Sequence, residues 1–180
     1  MKQHNLNKPI ARVLWRDWII YEDDRPDELG EWDHNQLQNT VSTLLASLLK
    51  QDGTYGTGIQ YLAVGEGLSA WDATPPTLSA SDTTLETETF RKAVVPATEM
   101  VYIDALGGSV VGGPTRFIRI TVTLTTAEAN GDLREWGLFG GNATGAANSG
   151  LMIDWVSHGL IVKDSSMTIV RTIEFEFGLP

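Results

Sequence analysis

The stretch Arg134-Glu-Trp-Gly-Leu-Phe-Gly-Gly141, followed by Asn142-Ala-Thr-Gly-Ala-Ala-Asn-Ser-Gly150 and Leu151-Met-Ile-Asp-Trp155, decides how this chain folds. Large apolar residues stand between glycines, and a loop of small residues joins two extended runs. This is the pattern of a tight β-unit that packs and presents a loop. It contains no nucleophile elbow and no metal-ligand spacing.

Neighbouring segments continue the same texture. Ile118, Ile120, Val122 and Leu124 alternate with Arg119, Thr121 and Thr123, as a strand with one buried face requires. Met167, Ile169, Ile173, Phe175 and Phe177 repeat the pattern near the end, and Arg171 breaks the file, which suggests the end of a sheet. Tyr55 to Val64, Ala97 to Leu106 and Leu151 to Val162 add extended candidates separated by glycine-rich turns, while residues 82–92 read equally as a short helix or a crossing connection. With no regular helix between strands, the expected fold is mainly β, an antiparallel β-sandwich over 53–180.

The chain before residue 53 reads differently. Residues 1–32 look like an extended arm: Ile10 to Tyr21 is rich in large apolar groups, and a charged, proline-bearing stretch follows. Trp15, Trp18, Ile19, Ile20, Tyr21 and Trp32 either pack back on the domain or, as the favoured reading has it, insert into a neighbour. Residues 33–52 are expected to form one α-helix, capped by Asp33 and running from about His34 to Lys50. Leu37, Val41, Leu44 and Leu48, broadened by Leu45 and Leu49, make an apolar face that can pack on the sheet or form a seam between protomers. On this reading, removing residues 1–32 leaves the β-domain folded.

Composition narrows the function. Cysteine is absent, which excludes disulfides, thiolate catalysis and thiolate-held metals. A formal charge of −10, with a sequence pI near 4.6, repels phosphate backbones, so nucleic acid is not an expected partner. No apolar run approaches the roughly 20 residues of a membrane span, and none is expected to enter a bilayer.

Chemistry finds little local support. His4, His34 and His158 are far apart, Asp23/Asp24 and Glu86/Glu88 are carboxylate pairs in a chain rich in carboxylates, and Gly65-Glu-Gly67 lacks the basic residue of a phosphate loop. The expectation is no catalytic residue, no metal site and no cofactor. Six tryptophans remain: Trp136 and Trp155 read as core, Trp15, Trp18 and Trp32 as assembly anchors.

From Tyr61 to Phe177 the order of motifs resembles tail-associated structural proteins of bacteriophages and their prophage relatives. The motifs are Tyr61-Leu-Ala-Val-Gly-Glu-Gly67, the Pro75-Pro76 linker, Asp82-Thr-Thr-Leu-Glu-Thr-Glu-Thr-Phe-Arg-Lys92, the strand Ile118 to Leu124, Leu133-Arg-Glu-Trp-Gly-Leu-Phe139, Gly150-Leu-Met-Ile153, His158, Ile161-Val-Lys163 and the strand closing at Phe177. The resemblance implies a non-enzymatic virion component of the tail, baseplate or fibre region, made in the bacterial cytoplasm and assembling with copies of itself, as a trimer or ring, and with other virion proteins. A capsid decoration protein is one alternative. A carbohydrate-binding module that meets host-surface glycans through Trp71 and Trp136 is another.

Overall fold

The computed structural model describes residues 11–50, 53–55, 57–110 and 113–178. Among these residues the strands form two antiparallel sheets. The elements are β1 (Ala11–Tyr21), β2 (Glu28–Leu29), β3 (Asp33–His34), β4 (Gln36–Leu37), α1 (Thr40–Lys50), β5 (Thr57–Gly65), β6 (Glu88–Ala93), α2 (Pro96–Glu99), β7 (Met100–Ile103), β8 (Phe117–Leu124), β9 (Gly131–Gly141), β10 (Leu151–Lys163) and β11 (Met167–Phe177). The first sheet runs β2-β1-β11-β8-β7 with β3 also on β1; the second runs β4-β10-β9-β5-β6. The mainly-β antiparallel sandwich with one long helix is the fold the sequence predicts.

Period-2 patterning explains the facing layers. Ile120, Val122 and Leu124 of β8 and Ile169, Ile173 and Phe175 of β11 point inward and are almost wholly buried. They meet Leu62 and Val64 of β5 and Leu133, Trp136 and Leu138 of β9 in the main core. Each such side chain contributes about 1.5–3 kcal/mol by leaving water. β9 is buried on both faces, because a second, smaller core lies on the outer side of its sheet. There Ala63, Leu85, Phe139, Ala143, Met152 and Trp155 pack under the segments 66–87 and 142–150.

Three expectations are corrected. Residues 11–21 are not part of an arm, because Ala11–Tyr21 is an interior strand whose eleven residues all pair with β11; the part of the arm expectation on residues 1–10 lies outside the described residues. The helix does not start at His34: Asp33 and His34 pair with Trp15 and Leu14, and Gln36 and Leu37 pair with β10, so α1 begins only at Thr40. The part of the helix expectation on residues 51 and 52 lies outside the described residues. Thirdly, Arg171 is not at the end of a sheet but midway along β11, fully buried.

The helix shows how little of its leucine stripe the core takes. Val41, Leu44 and Ser47 are buried at three-residue spacing, whereas Leu45, Leu48 and Leu49 face outward. Thr40 Oγ1 donates to the Met152 carbonyl and ties the first turn to β10.

Candidate functional site

β10 carries a wide bulge where it passes β9. Ser157 pairs with Glu135 and Ile161 with Leu133, so His158, Gly159 and Leu160 oppose Arg134 alone. Bulges bend a strand and re-aim its side chains. Here the bulge puts His158 and Leu160 between two open clefts, of about 520 and 540 Å³. Trp15 and Trp32 line the first, and Trp71, Pro75 and Pro76 the second.

Behind the bulge lies a buried polar cluster. Arg171 Nε donates to Asp17 Oδ1 at 2.7 Å, and its guanidinium sits 5.3 Å from the Trp15 ring and 5.0 Å from the Trp136 ring. The two indoles meet edge to face at 5.6 Å, and His158 lies 5.9 Å from Trp15. His158 Nδ1 donates to the Gly159 carbonyl at 2.7 Å, which leaves Nε2 as an enclosed lone pair. Burial, and then the positive charge of Arg171, push this imidazole down to about 4. It is therefore neutral at physiological pH.

Two other buried carboxyls anchor the neighbouring segments. Glu135, fully buried on the outer face of β9, accepts from the amides of Thr87 at 2.8 Å and Glu86 at 3.0 Å and from Trp155 Nε1 at 3.1 Å. Burial raises its carboxyl above the usual range despite these donors. Gly65 is required beside it, since a Cβ there would lie 2.5 Å from the Thr87 carbonyl and 2.6 Å from Glu135 Oε1. Asp154 accepts from the Asn35 amide and is pushed well above the carboxylate range by complete burial. It holds the 33–37 strap against β10.

The loop 142–150 was expected to be presented; it is pinned. Arg91 Nη1 donates to the carbonyls of Thr144 and Ser149 at 3.1 and 3.0 Å, and its guanidinium lies 4.2 Å over Phe139. Glu88, itself paired with Arg91 at 2.7 Å, accepts from the Asn148 amide at 2.7 Å. Asn148, in the left-handed region at φ 52°, accepts from the Leu85 amide at 2.9 Å. The loop is a lid on the second core.

The predicted assembly residues divide into two sets. Val41 and Leu44 are buried in the main core and are withdrawn from any surface role, while Trp15, Ile19 and Leu37 are half-buried against it. Trp18, Trp32 and Leu48 are exposed, while Ile20 and Tyr21 are partly so. Of the glycan candidates, Trp136 is fully buried and is withdrawn, and Trp71 packs edge-on against Trp155 at 6.4 Å.

One member of each carboxylate pair noticed in sequence is held in an ion pair: Asp23 with Arg25 at 2.9 Å and Glu88 with Arg91. Among the described residues no three His, Asp or Glu side chains gather as a metal site would need. No helix among them is long and apolar enough to cross a membrane. Sequence reasoning missed the Arg171–Asp17 pair and the Glu135 cage; a charged residue inside each apolar file was the signal available for both. The fold and site thus define a class: an antiparallel sandwich with a buried polar spine and a bulged cleft. Comparison of the chain with protein-family models, curated proteins and solved structures finds no match.

Proposed function

We propose that the chain is a non-enzymatic structural subunit of a multi-subunit particle, of the phage virion or phage-tail-like kind, that associates with copies of itself. One observation carries the reading. On the outer face of the first sheet, Leu29, Trp18 and Val170 stand in register across β2, β1 and β11, with Ile20 beside them on the same face. Leu29 is 61% and Trp18 44% exposed. Covering what remains exposed of a tryptophan and a leucine side by side on an open sheet face contributes on the order of 1 kcal/mol each, and such patches mark contacts between proteins. The outward Leu48 and Leu49 of α1 offer a second apolar surface.

The order of motifs from Tyr61 to Phe177 supports the phage-particle setting, and a capsid decoration protein would use the same parts. Closed symmetry, a trimer or ring, satisfies identical patches on identical copies. Light scattering behind size exclusion tests the association. The wild-type chain is expected at an oligomeric mass and Trp18→Glu at monomer mass with an unchanged melting temperature. A wild-type protein that remains monomeric at high concentration sinks the proposal. Mass spectrometry of purified particles tests the setting.

A further inference from the structure

The turn between β8 and β9 meets the end of β10 at a buried lysine. Lys163 is the last residue of β10, is 2% exposed and forms no ion pair among the described residues. Its Nζ donates instead to two carbonyl oxygens, that of Thr125 at 2.8 Å and the side-chain Oδ1 of Asn130 at 2.9 Å. Burial lowers the Lys163 pKa from its ordinary 10.5, which raises the share of uncharged, nucleophilic amine. A carbonyl carbon lies about 1.23 Å from its oxygen, so Nζ is no more than about 4 Å from Asn130 Cγ. Reacting atoms poised for attack stand about 3–3.5 Å apart, which a shift of at most about 1 Å would reach.

The turn holds the amide in place. Gly131 pairs with Lys163 on the last rung of the β9–β10 ladder, so Asn130 stands one residue beyond it. Asn130 Nδ2 donates to the Thr126 carbonyl at 2.9 Å, and Glu128 accepts from the Thr125 amide at 2.9 Å and from Lys92 Nζ at 2.7 Å. Between Glu128 and Asn130 the backbone is strained: Ala129 lies in the left-handed region at φ 54°, and Gly131 follows at φ 142°. Such strain persists only where the surroundings impose it, and it clusters at sites with a task. We propose that Lys163 and Asn130 join in an intramolecular isopeptide bond. The free amine Nζ attacks Asn130 Cγ, the Cγ–Nδ2 bond breaks, a proton passes from Nζ to the departing nitrogen, and ammonia leaves. One amine and one carboxamide become one substituted amide and one ammonia; nothing is oxidised or reduced, and no co-reactant is consumed. The bond closes a covalent ring over residues 130–163, which takes in β9, the loop 142–150 and the bulge of β10. It stands on this pair of side chains and does not depend on the assembly reading.

Mass spectrometry of the purified, folded full-length chain tests it. The intact chain is expected to be lighter than its sequence requires by about 17 Da, the mass of ammonia, and Asn130→Ala and Lys163→Arg are expected to carry their full calculated masses. Asn130 is exposed, so Asn130→Ala is expected to fold even where Lys163→Arg does not. Trypsin does not cut after an acylated lysine. The wild-type digest is therefore expected to contain residues 135–171 uncut at Lys163 and joined to residues 120–134. A succinimide closed by the Gly131 amide on Asn130 would lose the same ammonia, but it would persist in Lys163→Arg and leave Lys163 open to trypsin. A wild-type chain of full calculated mass after prolonged incubation, or a deficit that survives in Lys163→Arg, overturns the bond and leaves Lys163 and Asn130 as hydrogen-bonded neighbours.

Discussion

Arg171 is a cation with no exposed surface, set close to two indole rings deep in the sandwich. A buried ion pair is tolerated while both partners are present, and removal of one leaves a desolvated charge. Asp17→Asn is therefore expected to cost about 3–5 kcal/mol in urea unfolding, and Asp17→Leu/Arg171→Met to cost less than that single change. A loss under about 1 kcal/mol for Asp17→Asn would show that the guanidinium has other compensation. His158, beside the pair, sets a pH dependence. Its ordinary value is 6.5 and burial with Arg171 lowers it to about 4, so between these values the folded state binds fewer protons than the unfolded. Stability is complete above pH 6.5 and falls as the pH drops towards 4, by up to about 3 kcal/mol. The raised carboxyls of Asp154 and Glu135 act with the opposite sign, losing stability as pH rises beyond the carboxylate range. His158→Gln is expected to flatten only the fall between pH 6.5 and 4, as read from melting temperatures across that window; an unchanged slope would remove His158 from the account.

At the scale of elements, legibility tracks how many faces of a strand are buried and by what. β8 reads directly from sequence because its inner file is apolar and its outer file is Arg119, Thr121 and Thr123. β1 does not. Its inner file, Val13, Trp15, Asp17 and Ile19, contains a carboxylate, and its outer file, Arg12, Leu14, Arg16, Trp18 and Ile20, mixes two arginines with three large apolar residues, so the alternation that marks a strand is blurred. The charge on Arg171 misleads for the same reason: its partner is 154 positions away in sequence, and no local pattern announces it. The helix start was displaced because Asp33 to Leu37 meets strands β1 and β10, and tertiary pairing overrides a local capping signal. The turn residues of 142–150 announce a loop correctly, but not that Arg91 and Glu88, from a distant edge strand, hold it down. Of the site, the tryptophans were legible as important and the bulge that arranges them was not, since a three-against-one register exists only once β9 and β10 are paired.

For the whole molecule, the first described strand closes the structure and is no detachable appendage. β1 lies between β2 and β11, supplies Val13 and, half-buried, Trp15 and Ile19 to the main core, and carries the only carboxylate bonded to Arg171 among the described residues. Removing residues 1–32 would bare the whole edge of β11, open the core along one side and leave the guanidinium unpaired in an apolar interior. An unprotected edge of that length pairs with other chains, and an unpaired buried charge alone costs several kcal/mol, which is comparable to the 5–15 kcal/mol by which domains are stable. The truncated chain is therefore expected to lose its cooperative melting transition and to aggregate. Circular dichroism melts of the deletion and of the full chain separate the outcomes. A cooperatively folded 33–180 fragment would mean that the second sheet and its loops suffice as a domain, and would return the first strand to the role of an assembly arm.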